Sequence, residues 1–279
     1  MHSGRHDIYY RNRSHITILV KPGDSNDTMR TTAIQVMYGT FALFMCGEIP
    51  LPAREGVRLD LESSIRSRFV WRGEMWTDDP VFWQTVTLRW RNFRSYNFFN
   101  VDLTDINGER YELNEYDYIL DYTFRFRHFS AAPGVLHFSS PTNFFKPSTK
   151  ITLDLRVFSG WNPRLRVRID TEHSRGSYYI FSAARRLALP GGRLAVDLAA
   201  ELGLSQPRYY RSHLSSRIAA TDALLGAYLP LDLGKGYTLT PFAEFTSLLD
   251  HSVREAQEAT GARKDAVTFG VVMGKGVGW

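Results

Sequence analysis

From Val57 onward the chain alternates apolar and polar residues, segment after segment. In Val57 to Trp71 the positions Val57, Leu59, Leu61, Ile65, Phe69 and Trp71 are apolar, while Arg58, Asp60, Glu62, Ser64, Arg66 and Arg68 between them are polar. Tyr116 to Arg127 is cleaner. Tyr116, Tyr118, Leu120, Tyr122, Phe124 and Phe126 share one parity, and Asp117, Asp121, Thr123, Arg125 and Arg127 share the other, with Ile119 as the exception. A period of two places the two sets on opposite faces of a β-strand. Phe82 to Arg91, Ile151 to Phe158, Arg164 to Asp170, Arg193 to Glu201 and Tyr237 to Thr246 alternate in the same way. Tyr96 to Leu103, Gly134 to Ser140, Ser177 to Arg186 and Thr221 to Leu231 are rougher. Pro241 has no amide hydrogen for a ladder, so its strand is expected to be irregular there or to begin after it.

The ending, AVTFGVVMGKGVGW, completes a set of about twelve strands. Val267, Phe269, Val271, Met273, Val277 and Trp279 are apolar on one parity, and Thr268, Gly270, Gly274, Gly276 and Gly278 are small on the other. Lys275 breaks the apolar parity. A last strand that finishes on an aromatic residue resembles the ending by which outer-membrane barrels are recognised for assembly, with Phe269, Val271, Val277 and Trp279 as the signal. The connections sort by length. Asn92 to Ser95, Ser159 to Pro163, Pro190 to Gly192 and Asp232 to Gly236 are short and rich in Gly, Pro and Asn, whereas Gly203 to Ser216 and Leu248 to Asp265 are long. Short periplasmic turns with longer external loops are the habit of transmembrane barrels. The expectation is therefore an all-β chain: one antiparallel up-and-down barrel spanning the outer membrane, with lipid and the assembly machinery as partners.

Composition sharpens the class. No run of eighteen apolar residues could cross a bilayer as a helix. The formal charge of +5 is modest and its basic residues are interleaved with apolar ones, which disfavours nucleic acid. From Met29, Arg30 is a minimal basic head, Ala33 to Met45 an apolar stretch, and Ala53 a small residue at a cleavage position, the layout of a secretory signal. The expected organisation is an extension over 1–28, a signal over 29–53 and the barrel over 54–279. Cys46, the single cysteine, falls in the signal, so the mature chain has none for a disulfide or a thiolate metal site.

Residues 63–90, SSIRSRFVWRGEMWTDDPVFWQTVTLRW, and 101–124, VDLTDINGERYELNEYDYILDYTF, resemble the TorF-type family of bacterial outer-membrane porins. The resemblance rests on Trp71, Arg72 and Gly73 after the first strand and on Glu115, Asp117 and Tyr118 in a later one. It implies an outer-membrane address and passive transport, and brings neither catalytic residues nor a defined substrate.

If the polar parity faces inward, strand direction places Arg89, Arg91, Arg125, Arg127, Arg156, Arg164 and Arg166 in the periplasmic half of the lumen, with Arg168 somewhat higher. Asp117, Asp121, Asp154 and Asp170 are the opposing acids, the first two near the middle. Planar, permanently charged guanidinium groups suit carboxylate and phosphate, so an open belt of them favours small anionic solutes. The alternative is that they pair with Asp102, Asp117, Asp154, Asp170, Asp197, Glu201 and Glu244 and pack the barrel shut, leaving its work to external loops such as Arg208, Tyr209, Tyr210 and Arg211. A remoter reading is a phospholipase-like hydrolase, because His128/Ser130, His137/Ser139 and His213/Ser215 each repeat a His-x-Ser spacing. Only His137 and Ser139 lie on a strand, without an assigned third residue. Glu115 and Asp117 are not expected to lie side by side. No nucleotide, zinc or calcium motif is present, so neither cofactor nor metal is expected.

Overall fold

The computed structural model describes residues 56–106, 108, 110–142, 146–172, 176–191, 194–206, 218–259 and 263–278. Strand β1 (Val57–Arg66) is followed by a separate hairpin, β2 (Phe69–Trp71) and β3 (Glu74–Thr77). The chain then runs through β4 (Val81–Trp90), β5 (Phe93–Asp102), β6 (Leu113–Tyr122), the two-residue β7 (Phe124–Arg125), β8 (Phe129–Ser139), β9 (Ser148–Val157) and β10 (Arg164–Asp170). It continues through β11 (Ser177–Ala188), β12 (Ala195–Ser205), β13 (Ala219–Tyr228), the short β14 (Leu231–Gly234), β15 (Tyr237–Leu248), helix α1 (His251–Ala259) and β16 (Asp265–Gly278). Each wall strand pairs antiparallel with the next, and β1 pairs with both β4 and β16, Leu59 opposite Val277 and Ile65 opposite Val271. With the short β7 and β14 set aside, this is a closed barrel of twelve strands. Closure removes the free edges that an open sheet would present.

The alternation separates two surfaces. Ile65, Leu120, Leu225, Val267 and Phe269 point outward, the last 60% exposed, and form part of an apolar belt of the kind that faces hydrocarbon in transmembrane barrels. At the turn end the rings of Trp90 and Phe93 stack 6.1 Å apart, Phe93 meets Tyr122 at 4.8 Å, Tyr122 meets Phe124 at 4.9 Å, and Phe126 stacks on Phe129 at 4.4 Å. Such a row matches the aromatic girdle at a bilayer interface. Lys275 keeps the outward parity; its Nζ donates to Tyr237 Oη at 2.5 Å and lies 4.1 Å from that ring's centre.

Several details differ from the pattern. The first strand stops at Arg66, because residues 69–77 fold back as a hairpin, with Arg72 and Gly73 both at positive φ (52° and 78°). That conformation matches the two-residue turn whose twist suits a hairpin. Tyr116 to Arg127 is not one strand either: β6 ends at Tyr122 and β7 continues for two residues. Pro241 causes no shift, since β15 runs through it in register with β16. On its other side β15 pairs with β14 as far as Leu239 and with β13 from Phe242, so the missing donor falls at the hand-over. The signal, Cys46, residues 208–211, the His213/Ser215 pair and Trp279 lie outside the described residues.

Candidate functional site

The inward parity is polar and charged, and two adjacent cavities occupy the lumen. The turn-end chamber, about 250 Å³, is lined by Arg89, Arg91, Arg94, Arg125, Arg156 and Arg164 and by only two acids, Asp121 and Asp154. The central chamber, about 460 Å³, carries Arg66, Arg72, Arg94, Arg164, Arg166 and Arg168 against Glu115, Asp117, Asp121, Asp154, Glu201, Asp222 and Glu244. Charge is therefore segregated along the axis, strongly positive at the turn end and nearly balanced in the middle.

Arg94, Asp121, Asp154 and Arg164 line both chambers and form a collar between them. Arg164 Nε donates to Asp154 Oδ1 at 2.6 Å and its Nη2 pairs with Oδ2; Arg94 Nε donates to Asp121 Oδ2 at 2.9 Å, assisted by Nη2. Fork-on-carboxylate geometry fixes these side chains in orientation. Both aspartates of the turn-end chamber are thus engaged. Arg89 is held by Asp60, Nη1 to Oδ2 at 2.7 Å, and Arg58 holds the other oxygen at 2.7 Å. Among the described residues no close ion pair joins Arg125 or Arg156 to a carboxylate, although Asp154, already held by Arg164, attracts Arg156 at longer range.

The other sequence-expected positions are distributed differently. Arg127 lies in the β7–β8 turn and lines neither chamber. Arg166 belongs to the central chamber, where it pairs with Glu201, and Arg168 lines the same chamber. Asp117 faces the central chamber with Ile119. Asp170 is buried at the loop end of β10, accepting from Ser148 Oγ at 2.9 Å and from the Glu172 amide at 3.0 Å, remote in role from the arginine cluster. Glu115 and Asp117 line the same central chamber, because residues two apart on a strand share a face. Phe269 and Val271 point outward on β16. His137 faces outward with Nδ1 3.1 Å from Thr149 Oγ1, and Ser139 Oγ donates to the Tyr116 carbonyl at 3.4 Å, so the two do not form a dyad.

Arg66, Arg72 and Arg94 were not among the sequence candidates. Arg94 sits on the inward parity two residues before Tyr96, but a turn placed over Asn92 to Ser95 hides it; the real turn is only Arg91 and Asn92. Arg66 is buried between the rings of Trp83 and Phe242, 3.9 and 4.4 Å from their centres, and pairs with Glu244, which accepts from Tyr228 Oη at 2.7 Å. Arg72 enters the lumen through the β2–β3 hairpin, which roofs the central chamber with Phe69, Val70, Trp71 and Gly73. On the same hairpin, burial raises the Glu74 carboxyl from 4.5 to about 7; a hydrogen bond from Trp76 works against the rise and Asp222 adds to it. Among the described residues no cluster of His, Cys, Asp and Glu is arranged to hold a metal.

No protein-family model matches the chain, and no curated protein matches it by sequence. Solved structures with a similar fold include outer-membrane channels. The KdgM porin, solved in complex with disordered oligogalacturonate, is 13% identical over 78% of this chain and 98% of its own, with a TM-score of 0.48. The NanC porin is 14% identical over 77% and 97%, with a TM-score of 0.46. An outer membrane channel from Pseudomonas putida F1 is 9% identical over 93% and 100%, with a TM-score of 0.44.

Proposed function

We propose that the chain forms an outer-membrane, porin-like channel for passive diffusion of small hydrophilic solutes, with a preference for anions. The observation that carries this reading is the turn-end chamber, where six arginines meet two aspartates and both aspartates are already committed to the collar. Arg125 and Arg156 are left to face solvent and solute. In a water-filled constriction bounded by protein, such an excess of fixed positive charge concentrates anions and repels cations. The resemblance of residues 63–90 and 101–124 to TorF-type porins and the apolar outer belt support the same reading. Channels of this kind need neither cofactor nor catalytic residue, and His137 and Ser139 are held by different partners.

Reconstitution in planar bilayers under a potassium chloride gradient tests it. The purified protein should conduct with a reversal potential on the anion side. Changing Arg125 and Arg156 together to Gln should shift that potential toward zero while leaving the barrel folded, because Gln keeps polarity and removes charge. A non-conducting wild type would instead favour a closed structural barrel acting through its external loops. Cover over the loop end by the hairpin and α1 is the feature that favours this second reading.

A further inference from the structure

The β2–β3 hairpin does not lie along the wall; it crosses the lumen. At its root Phe69 is buried edge-on against Trp83 of β4, centroids 5.7 Å apart, and Ser67 is tied to Phe269 of β16 by its amide at 2.9 Å. At its tip Trp71 packs against Tyr178, Ile180, Leu248 and Val253, and Lys150 Nζ lies 5.9 Å from the Trp71 ring. The Arg72 guanidinium stands over Tyr178 at 4.9 Å and 3.8 Å from Glu201. Lys150 is on β9 and Tyr178 on β11, which flank β10, the strand diametrically opposite β1 in the order of the wall.

The crossing is built as a rigid member. Gly73 leaves no slack: a Cβ there would come 2.8 Å from Leu248 Cδ2 and 3.1 Å from Asp222 Cβ, at a φ of 78° that disfavours any side chain. Asp222, which forms this seat, is itself held by Tyr178 Oη at 2.5 Å and Thr221 Oγ1 at 2.9 Å. Trp71, Trp76 and Phe69 interlock along the hairpin, with centroids 5.7 and 5.9 Å from Trp76. Helix α1 presses from the loop side, with Val253 buried in the tip cluster and Gln257 Nε2 donating to the Met75 carbonyl at 3.4 Å. The β15–β16 connection thus packs on the hairpin of the β1–β4 connection.

We infer that this hairpin is the selectivity constriction of the pore: a fixed bar that admits compact solutes past Trp71 and Arg72 and turns back extended or polymeric ones. The inference rests on the reading of the barrel as a diffusion channel. A bar seated on both walls divides the loop-end opening, so a chain-like solute must bend around it, whereas a compact one needs only the space beside it. Arg72, opposite Glu201 and Arg166, is the charged group such a solute meets at the bar.

Liposome swelling with a neutral sugar series from a pentose to a tetrasaccharide separates the two readings. Two variants are compared with the wild type: Val70 to Met75 replaced by Gly-Ser-Gly, and the milder Trp71→Ala/Arg72→Ala, each checked for folding by heat-modifiable migration in detergent gels. The expected result is rapid pentose entry in all three proteins, with trisaccharide and tetrasaccharide rates rising severalfold in the variants. An unchanged size profile in folded variants overturns the constriction while leaving the channel intact. Entry in the variants but none in the wild type overturns the constriction as well as free passive diffusion, because the hairpin then acts as a plug that admits no solute. No entry in any of them overturns both.

Discussion

Leu120 and Thr123 are three positions apart and meet opposite surroundings. Leu120 projects from the outer face, 44% exposed, and Thr123 lines the turn-end chamber. Leu120→Arg should therefore cost about 2–4 kcal/mol if it lies near the bilayer midplane, and Thr123→Arg little, in urea titrations of protein folded into liposomes. Equal tolerance would reverse the assignment of faces. Glu74 gives a residue-scale dependence on pH. Its carboxyl is raised to about 7 by burial in the docked hairpin, so the docked form holds a proton that the undocked form releases near 4.5. Docking is then fully favoured below about pH 4.5 and weakens as pH rises through 7. The urea concentration at which Trp emission shifts should fall between pH 5 and pH 8, and Glu74→Gln should flatten that dependence.

At the scale of elements, the seat of the hairpin depends on a missing side chain in β12. A Cβ on Gly203 would overlap Tyr178 Oη and Asp222 Oδ2, the two groups whose hydrogen bond shapes the floor under Gly73. Gly203→Ala should destabilise the barrel by about 1–3 kcal/mol through overpacking, read as a lowered thermal midpoint. Tyr178→Phe in that background should restore part of the loss, since it removes the overlapping oxygen; additive losses would argue that the contact is relieved elsewhere. The same logic explains the inner surface of β16. Gly270 and Gly274 lie against Phe242 and Thr238, where a Cβ would sit 2.8 Å from Phe242 Cζ and 2.6 Å from Thr238 Oγ1. The alternation of large outward and small inward residues in this strand thus has a packing cause as well as a lipid one.

For the whole molecule, the axial separation of charge sets the expected electrical behaviour. The turn-end chamber has four more arginines than acids, while the central chamber has one more acid than arginines. An exposed excess acts over about one Debye length, roughly 10 Å at 0.1 M salt and about 3 Å at 1 M. Anion preference should accordingly be clear at the lower concentration and largely lost at the higher, whereas fixed ion pairs in the collar would give no such dependence. Reversal potentials at the two salt levels distinguish the cases.

The alternation by itself determined the fold class, because a period of two has only two faces and a barrel must give one to lipid and the other to the lumen. Tyr116 to Tyr122 shows this most directly: each tyrosine and Leu120 on one side, Asp117 and Asp121 on the other, with Ile119 alone out of place. Strand order and the short turns were legible for the same local reason. What the pattern could not carry was anything that depends on distance across the barrel. Phe69 and Trp71 continue the parity of the first strand, so nothing local says that the chain leaves the wall at Arg66 and crosses the lumen. Arg164 and Arg156 stand opposite each other in the β9–β10 register, yet only Arg164 is bound, because Asp154 is in reach of its guanidinium and committed to it. Burial of the hairpin tip by Tyr178, Leu248 and Val253 brings together residues from three distant segments. Faces follow from neighbours in sequence; constrictions and ion pairs follow from neighbours in space, and only the closed barrel supplies those.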